Sequence, residues 1–302
     1  MPAVDSAARP ANAPLPDGAG RPASGRTRES PGGGFRRGLT GAAVRRLAAR
    51  VGPGCSAVLL VAGVWQLVHL LGLSPVLPAP AAVLRDLSDA WSAGTLGPGL
   101  LHSLGRCLAG FAASAAVGVP LGLLLHRFGF LRLPLAPALS AFQSLPAAVL
   151  VPIAVICLGT SQAAVYLVVL LGAVPSVATG VLTALDQVPP LLVRAGRTMG
   201  ATGAAGVRHV LLPAALPGVV AALRQGWAFG WRALMTAELM ASTPLPGLGQ
   251  VLDAGRRSGR LGPVLAAALV ILAVGVVVET GVFGPVQRRV LRARGLPAAQ
   301  ER

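Results

Sequence analysis

The sequence predicts an all-α, polytopic membrane protein with six transmembrane helices, and three observations carry that prediction. The 302-residue chain is 54% hydrophobic and only 12% charged, against about 25% charged residues in an ordinary soluble domain. Its apolar residues gather into six runs, each approaching the ~20 residues that a helix needs to cross the hydrocarbon core. Its basic residues, all arginine, collect towards the two ends and between the runs, where anionic lipid would meet them. The formal charge of +16 could also suit nucleic acid, but a nucleic-acid surface needs a soluble fold to carry it. The bilayer is therefore the expected partner, and nucleic acid is not.

Residues 1–50 are rich in Pro, Gly, Ser and Arg and poor in aromatics, so they are predicted to be a disordered, basic, cytoplasmic segment. They are not read as a secretory signal, because no apolar run follows the start closely. A six-span domain is predicted over 55–292, with a short cytoplasmic tail at 293–302. The first span is Ser56–Leu73, preceded by Arg45, Arg46 and Arg50. The second is Cys107–Leu125, stopped by His126 and Arg127. The third runs over Leu135–Leu158, the fourth over Gln162–Leu182, the fifth over Val219–Met240 and the sixth over Val264–Phe283. Between the first two, Val83, Leu84, Leu87 and Trp91 approximate one helical face, which predicts a short helix at the outer interface.

An even number of spans puts both termini on one side. The arginines before the first span and after the sixth make that side cytoplasmic, as does the turn with Arg127 and Arg132. The arginines of "DAGRRSGR" then fall outside and oppose the rule. Pro120, Pro146, Pro152 and Pro175 lie within the spans. Membrane helices tolerate proline where neighbours satisfy the freed carbonyls. The alternatives are kinked packing or a broken helix lining a pathway, and Pro146 and Pro152 suit the second best. Small residues such as those of "GFAASAAVG" allow close helix approach.

No catalytic or metal-binding constellation is visible, and no cofactor is expected. Cys55, Cys107 and Cys157 are too widely spaced for a local metal site and read as small hydrophobes. The histidines at 69, 102, 126 and 209 show no ligand spacing either. In the fifth span, Arg224, Trp227, Trp231 and Glu238 recur at helical intervals and share one face. Ionisable groups inside a membrane face protein or water, so this stripe, with Pro146 and Pro152, is the candidate translocation path. Gly226 and Gly230 fall mostly on the other side, where a neighbouring helix could pack.

Residues 186–217 form the longest expected cytoplasmic loop. Pro190 opens a short helix and Gly200 stops it; a second short helix ends before Pro213. Its basic charge alone would suit contact with anionic lipid, but Gly200, Gly203 and Gly206 point to a surface shaped for close fit against another body.

Here the chain resembles the membrane-spanning permease subunit of ATP-driven bacterial importers of the ABC type, in the branch for aliphatic sulfonates, taurine, nitrate and thiamine precursors. That family carries a cytoplasmic signature of Glu-Ala-Ala, three residues, Gly, nine residues, then Ile-x-Leu-Pro. Arg194-Ala195-Gly196, Gly200 and Val210-Leu211-Leu212-Pro213 reproduce its spacing. The resemblance extends to "LPAPAAVLRDL", "SLPAAVLVPIAVICLG", and "AEL" with "GLG" at Ala237–Leu239 and Gly247–Gly249, and covers roughly residues 60–290.

The resemblance implies the binding-protein-dependent importer permease fold in a homodimer. It implies a pair of cytoplasmic ATP-binding subunits, an extracytoplasmic solute-binding protein and a bacterial inner membrane. It also makes Arg194, Ala195, Gly196, Gly200, Val210, Leu212 and Pro213 the surface that couples to the ATPase. Arg194 and Gly196 depart from the family's glutamate and second alanine. No GxxxxGK[ST] loop is present, so ATP chemistry is expected of a separate subunit. The rival readings are a self-sufficient secondary transporter, which usually shows internal repeats, and a non-transporting membrane scaffold.

Overall fold

Proline and glycine set the breaks between helices in this chain, and apolar periodicity sets their faces. The computed structural model describes residues 56, 58–74, 76–241 and 243–294; the expectations for 1–50, and for all of the tail beyond Arg294, lie outside them. Every regular element among the described residues is helical. In order these are α1 (Val58–Leu70), α2 (Pro80–Ser92), α3 (Leu96–Arg127), α4 (Gly129–Ser144), α5 (Ala147–Leu158) and α6 (Gln162–Asp186). After them come α7 (Pro190–Thr198), α8 (Gly203–Gly206), α9 (Leu212–Met240), α10 (Leu248–Arg257), α11 (Leu261–Val278) and α12 (Gly284–Arg292). Single π-helical turns, Val207–Leu211 and Glu279–Phe283, join α8 to α9 and α11 to α12.

Four helical segments are long and apolar enough to cross a membrane: Leu96–Arg127, Gln162–Asp186, Gly203–Met240 and Leu261–Arg292. The expected third span is not one rod. It is α4 followed by α5, bent by 100°. The bend falls at Leu145, whose ψ of 126° is extended, because the ring of Pro146 disfavours helical backbone in the residue before it. Within the expected first span the described helix is α1, shorter than the other four. The described residues therefore hold four long candidate spans and one broken pair, not six alike.

α6 lies at the centre and packs against α3, α9, α4 and α5. Small residues bring the axes close, as expected from the sequence. A methyl on Gly118 of α3 would come within 2.8 Å of Val177, and one on Gly180 of α6 within 2.6 Å of Ala222 in α9. Gly226 faces Val177 and Gly230 faces Ala173, both on α6. The central core is built from Val165, Val168, Val169, Leu234 and Leu248.

Two expectations about ends and faces change. The second span begins at Leu96, well before Cys107, despite Gly97, Pro98 and Gly99, because proline and glycine cost little in a first turn. In α2, Val83 is buried while Leu84 and Trp91 are exposed. The helix thus buries part of the expected face against α11 and leaves the rest outward.

Candidate functional site

The punctuated loop after α6 builds a compact surface. Pro190 starts α7 where a missing N–H costs nothing, and Gly200 ends it with φ of 86°, a conformation that side chains resist. The second expected helix does not stop before Pro213. α8 runs through the π turn directly into α9, and Pro213 takes a first-turn position of α9. The wide π turn just before it accommodates the missing N–H of Pro213, so the helix continues through this residue instead of stopping at it.

Arg194, Ala195 and Gly200 are exposed, whereas Gly196 is buried. A methyl on Gly196 would stand 2.7 Å from Val210 Cγ2. The two arms of the loop therefore meet in close contact at Gly196 and Val210. Arg194, Arg197, Val210 and Leu211 line a cleft of about 770 Å³ between α7 and the Gly203–Leu211 segment. Asp186, at the end of α6, ties this region to the α3–α4 corner through Arg132 at 2.8 Å and His126 at 3.0 Å. Arg289 and Arg294 lie beside Pro213 and Leu216. The α3–α4 corner, the punctuated loop and the end of α12 thus share one end of the bundle.

The fifth-span stripe is placed differently from the expected path. Trp227 and Trp231 are buried and stack with centroids 6.4 Å apart, and Trp227 meets the edge of Phe111 on α3 at 5.4 Å. Within the protomer this face fills a seam between helices and does not line open space, because large rings on a helix already flanked by α3 are best satisfied by packing. Arg224 hydrogen-bonds Gln287 at 3.1 Å and pairs with Glu279. Pro146 lines a groove with Phe229, Arg232 and Thr236, while Pro152 is exposed on α5 and takes no part in that groove.

Glu238 is the hub of a buried polar network. It pairs with Arg106 Nη1 at 2.8 Å and accepts hydrogen bonds from Ser103 Oγ at 2.7 Å and Gly249 N at 3.1 Å. Arg106 also donates to Gln162 Oε1 at 2.7 Å, Thr243 Oγ1 at 3.2 Å and the carbonyl of Leu245 at 2.5 Å. Ser103 Oγ accepts from Leu248 N at 2.8 Å. Side chains at Gly247 or Gly249 would collide with Glu238, which explains the linked "AEL" and "GLG". The network clamps α3, α9 and the loop before α10 at the far end of α9 from the punctuated loop. Arg106 was missed from the sequence; the available signal was a lone arginine at the head of an apolar run.

The described residues thus form a helical bundle with a shaped, basic surface at one end and a buried ionic clamp at the other. Residues 117–289 match the family described as binding-protein-dependent transport system inner membrane component, and the chain belongs to that family. It is 31% identical over 242 residues to the taurine transport system permease protein TauC of Escherichia coli (strain K12), covering 78% of this chain and 86% of that one. It is 26% identical over 218 residues to the putative aliphatic sulfonates transport permease protein SsuC of Bacillus subtilis (strain 168), covering 72% and 78%. Among solved structures, an inward-facing MetNI methionine ABC transporter chain matches with a TM-score of 0.56 and 26% identity, covering 64% of this chain and 94% of that one. The chain is therefore the non-catalytic permease subunit of an ABC-type importer, a multi-pass protein of the bacterial inner membrane.

Proposed function

We propose that this permease imports a small anion, a sulfonate, taurine, nitrate or a chemical relative, as a homodimer with six spans per protomer and both termini cytoplasmic. A solute-binding protein delivers the anion on the outer side. A pair of ATP-binding subunits docks on the inner side against α7 and the Gly203–Pro213 segment. Arg194, Ala195, Gly200, Leu212 and Pro213 form or support that docking surface, and Gly196 with Val210 holds its two arms together. Pro146 is kept as a pathway residue; Trp227, Trp231 and Glu238 hold the wall of the path without forming its lining.

The observation that carries this reading is the α7–Gly200–α8 surface, rigidly seated on Val210 and continuous with α9. A helix that continues from the docking surface into the membrane can transmit ATPase closure to the span. The relatives named for taurine and aliphatic sulfonates support an anionic cargo, as does one named for nitrate import in Synechocystis. The test is ATP-driven uptake into liposomes containing the permease with its cognate ATPase and solute-binding protein, with taurine, ethanesulfonate and nitrate as probes. Saturable, ATP-dependent uptake of at least one is expected. Binding of the ATPase without uptake of any anionic probe would refute the cargo class.

A further inference from the structure

α9 carries a second stripe that the tryptophan face conceals in the sequence. Gln225, Phe229, Arg232 and Thr236 recur at intervals of four, three and four. At 3.6 residues per turn they share one face, roughly opposite the Trp227–Trp231 seam. Gln225 and Arg232 are exposed and Phe229 and Thr236 half-buried. Across from them, α6 presents Ser176, Thr179 and Thr183 at helical spacing, lining a groove of about 390 Å³ with Gln225. An adjoining groove of about 290 Å³ takes Phe229, Arg232 and Thr236. Gln143 borders both grooves and donates to Thr179 Oγ1 at 3.0 Å, so the polar lining is continuous.

Three features of this lining point to a ligand. Arg232 has no carboxylate within salt-bridge reach among the described residues, as is also true of Arg127, Arg208 and Arg288 near helix ends, whereas Arg106 and Arg224 are paired. Its guanidinium lies back along its own helix, with Nε donating to Ala228 O at 3.0 Å and Cζ 4.5 Å over the Phe229 ring. That direction is towards the middle of the span and away from the near end at Met240, the opposite of what snorkelling to an interface requires. Ser176, only 2% exposed, has the single buried side-chain polar atom without a hydrogen-bond partner among the described residues. By contrast, the outward residues Leu272, Val276 and Val277 of α11 are apolar, as a lipid-facing surface must be.

An unpaired cation held towards mid-span does not face lipid tails at rest; it faces protein or water, and the polar grooves beside it favour water or an anion. We infer that Arg232 is the anion-selecting residue of the translocation path, and that Gln225, Gln143, Thr179, Thr183 and Ser176 supply the hydrogen bonds along which an oxyanion passes. The guanidinium offers several donors in one plane, matched to sulfonate or another planar or tetrahedral oxyanion, while Phe229 fixes its position through cation–π contact. The inference rests on the anion-importer reading and names the group that enforces it.

The test uses the complete complex in liposomes. A reporter cysteine replaces Thr236 in a background whose three native cysteines are alanine, and Gln225→Cys provides a second reporter should Thr236→Cys insert poorly. Labelling rates are compared for an anionic sulfonatoethyl methanethiosulfonate and its cationic trimethylammonium counterpart. With Arg232 present the anionic reagent is favoured, and Arg232→Gln lowers the anion-to-cation ratio on the order of tenfold, the scale set by focused charge in a cleft; Arg232→Lys retains it. Uptake of the anionic probe by Arg232→Gln, without the reporter and at equal membrane levels, falls by a similar factor. A ratio that ignores Arg232, reporters inaccessible to both reagents, or uptake by Arg232→Gln at the unsubstituted rate would overturn the inference. Failure of the unsubstituted complex to import any anionic probe would instead sink the importer reading, and the labelling ratio separates the two.

Discussion

Replacing Arg106 with Met leaves the Glu238 carboxylate buried and without its cation. Arg106 Nη1 lies 2.8 Å from Glu238 Oε1, and the two side chains are 5% and 0% exposed. The bonds from Arg106 to Gln162, Thr243 and Leu245 are lost with the pair, and stranding one member of a buried ion pair in this way costs about 3–5 kcal/mol in all. Arg106→Met combined with Glu238→Gln removes that charge while keeping an acceptor for Ser103 and Gly249. The double variant is expected to recover about half of the loss, or roughly 2 kcal/mol. The assay is equilibrium unfolding of the purified permease in mixed detergent, read by tryptophan fluorescence from the Trp227–Trp231 seam. A single variant that loses under about 1 kcal/mol, or a double variant no more stable than the single, would show that charge pairing is not what holds α3 to α9.

Three further outcomes are expected. Gly196→Ala would push a methyl to 2.7 Å from Val210 Cγ2 and lower ATP-coupled uptake several-fold, and adding Val210→Ala should restore most of it; no rescue would remove the packing explanation. The proposed docking sets Arg194 against an acidic side chain of the ATPase, so Arg194→Glu should lower uptake more than Arg194→Ala at equal membrane levels, and uptake highest for the Glu variant would contradict that. The side-chain hydrogen bonds from Arg256 and then Arg257 hold the Asp253 carboxyl below its ordinary value of 3.8. A depressed acid contributes stability above its unfolded pKa and loses it as pH falls through the folded one. Asp253→Asn should therefore destabilise the protein throughout pH 5–8, with the gap closing only below about 3.8, as followed by thermal unfolding across pH.

The sequence by itself determined the class of protein and the place of the punctuated loop proposed to meet the ATPase. Hydropathy placed the long apolar helices because a bilayer demands about 20 apolar residues whatever the helix touches. Pro190 and Gly200 marked the ends of α7 because both act through local backbone geometry. The spacing from Arg194 to Pro213 was legible for the same reason. What only the tertiary structure decided was which face meets what. The periodicity of α9 shows two stripes, and nothing local distinguishes the Trp227–Trp231 face that packs against α3 from the Gln225–Arg232 face left open beside α6. Nor could it pair Glu238 with Arg106, 132 residues away. Pro213 lies within a continuous helix where the sequence predicts an end, because the preceding π turn carries the backbone through it. Burial, pairing and register depend on partners distant in the chain, so they are settled only when the helices assemble.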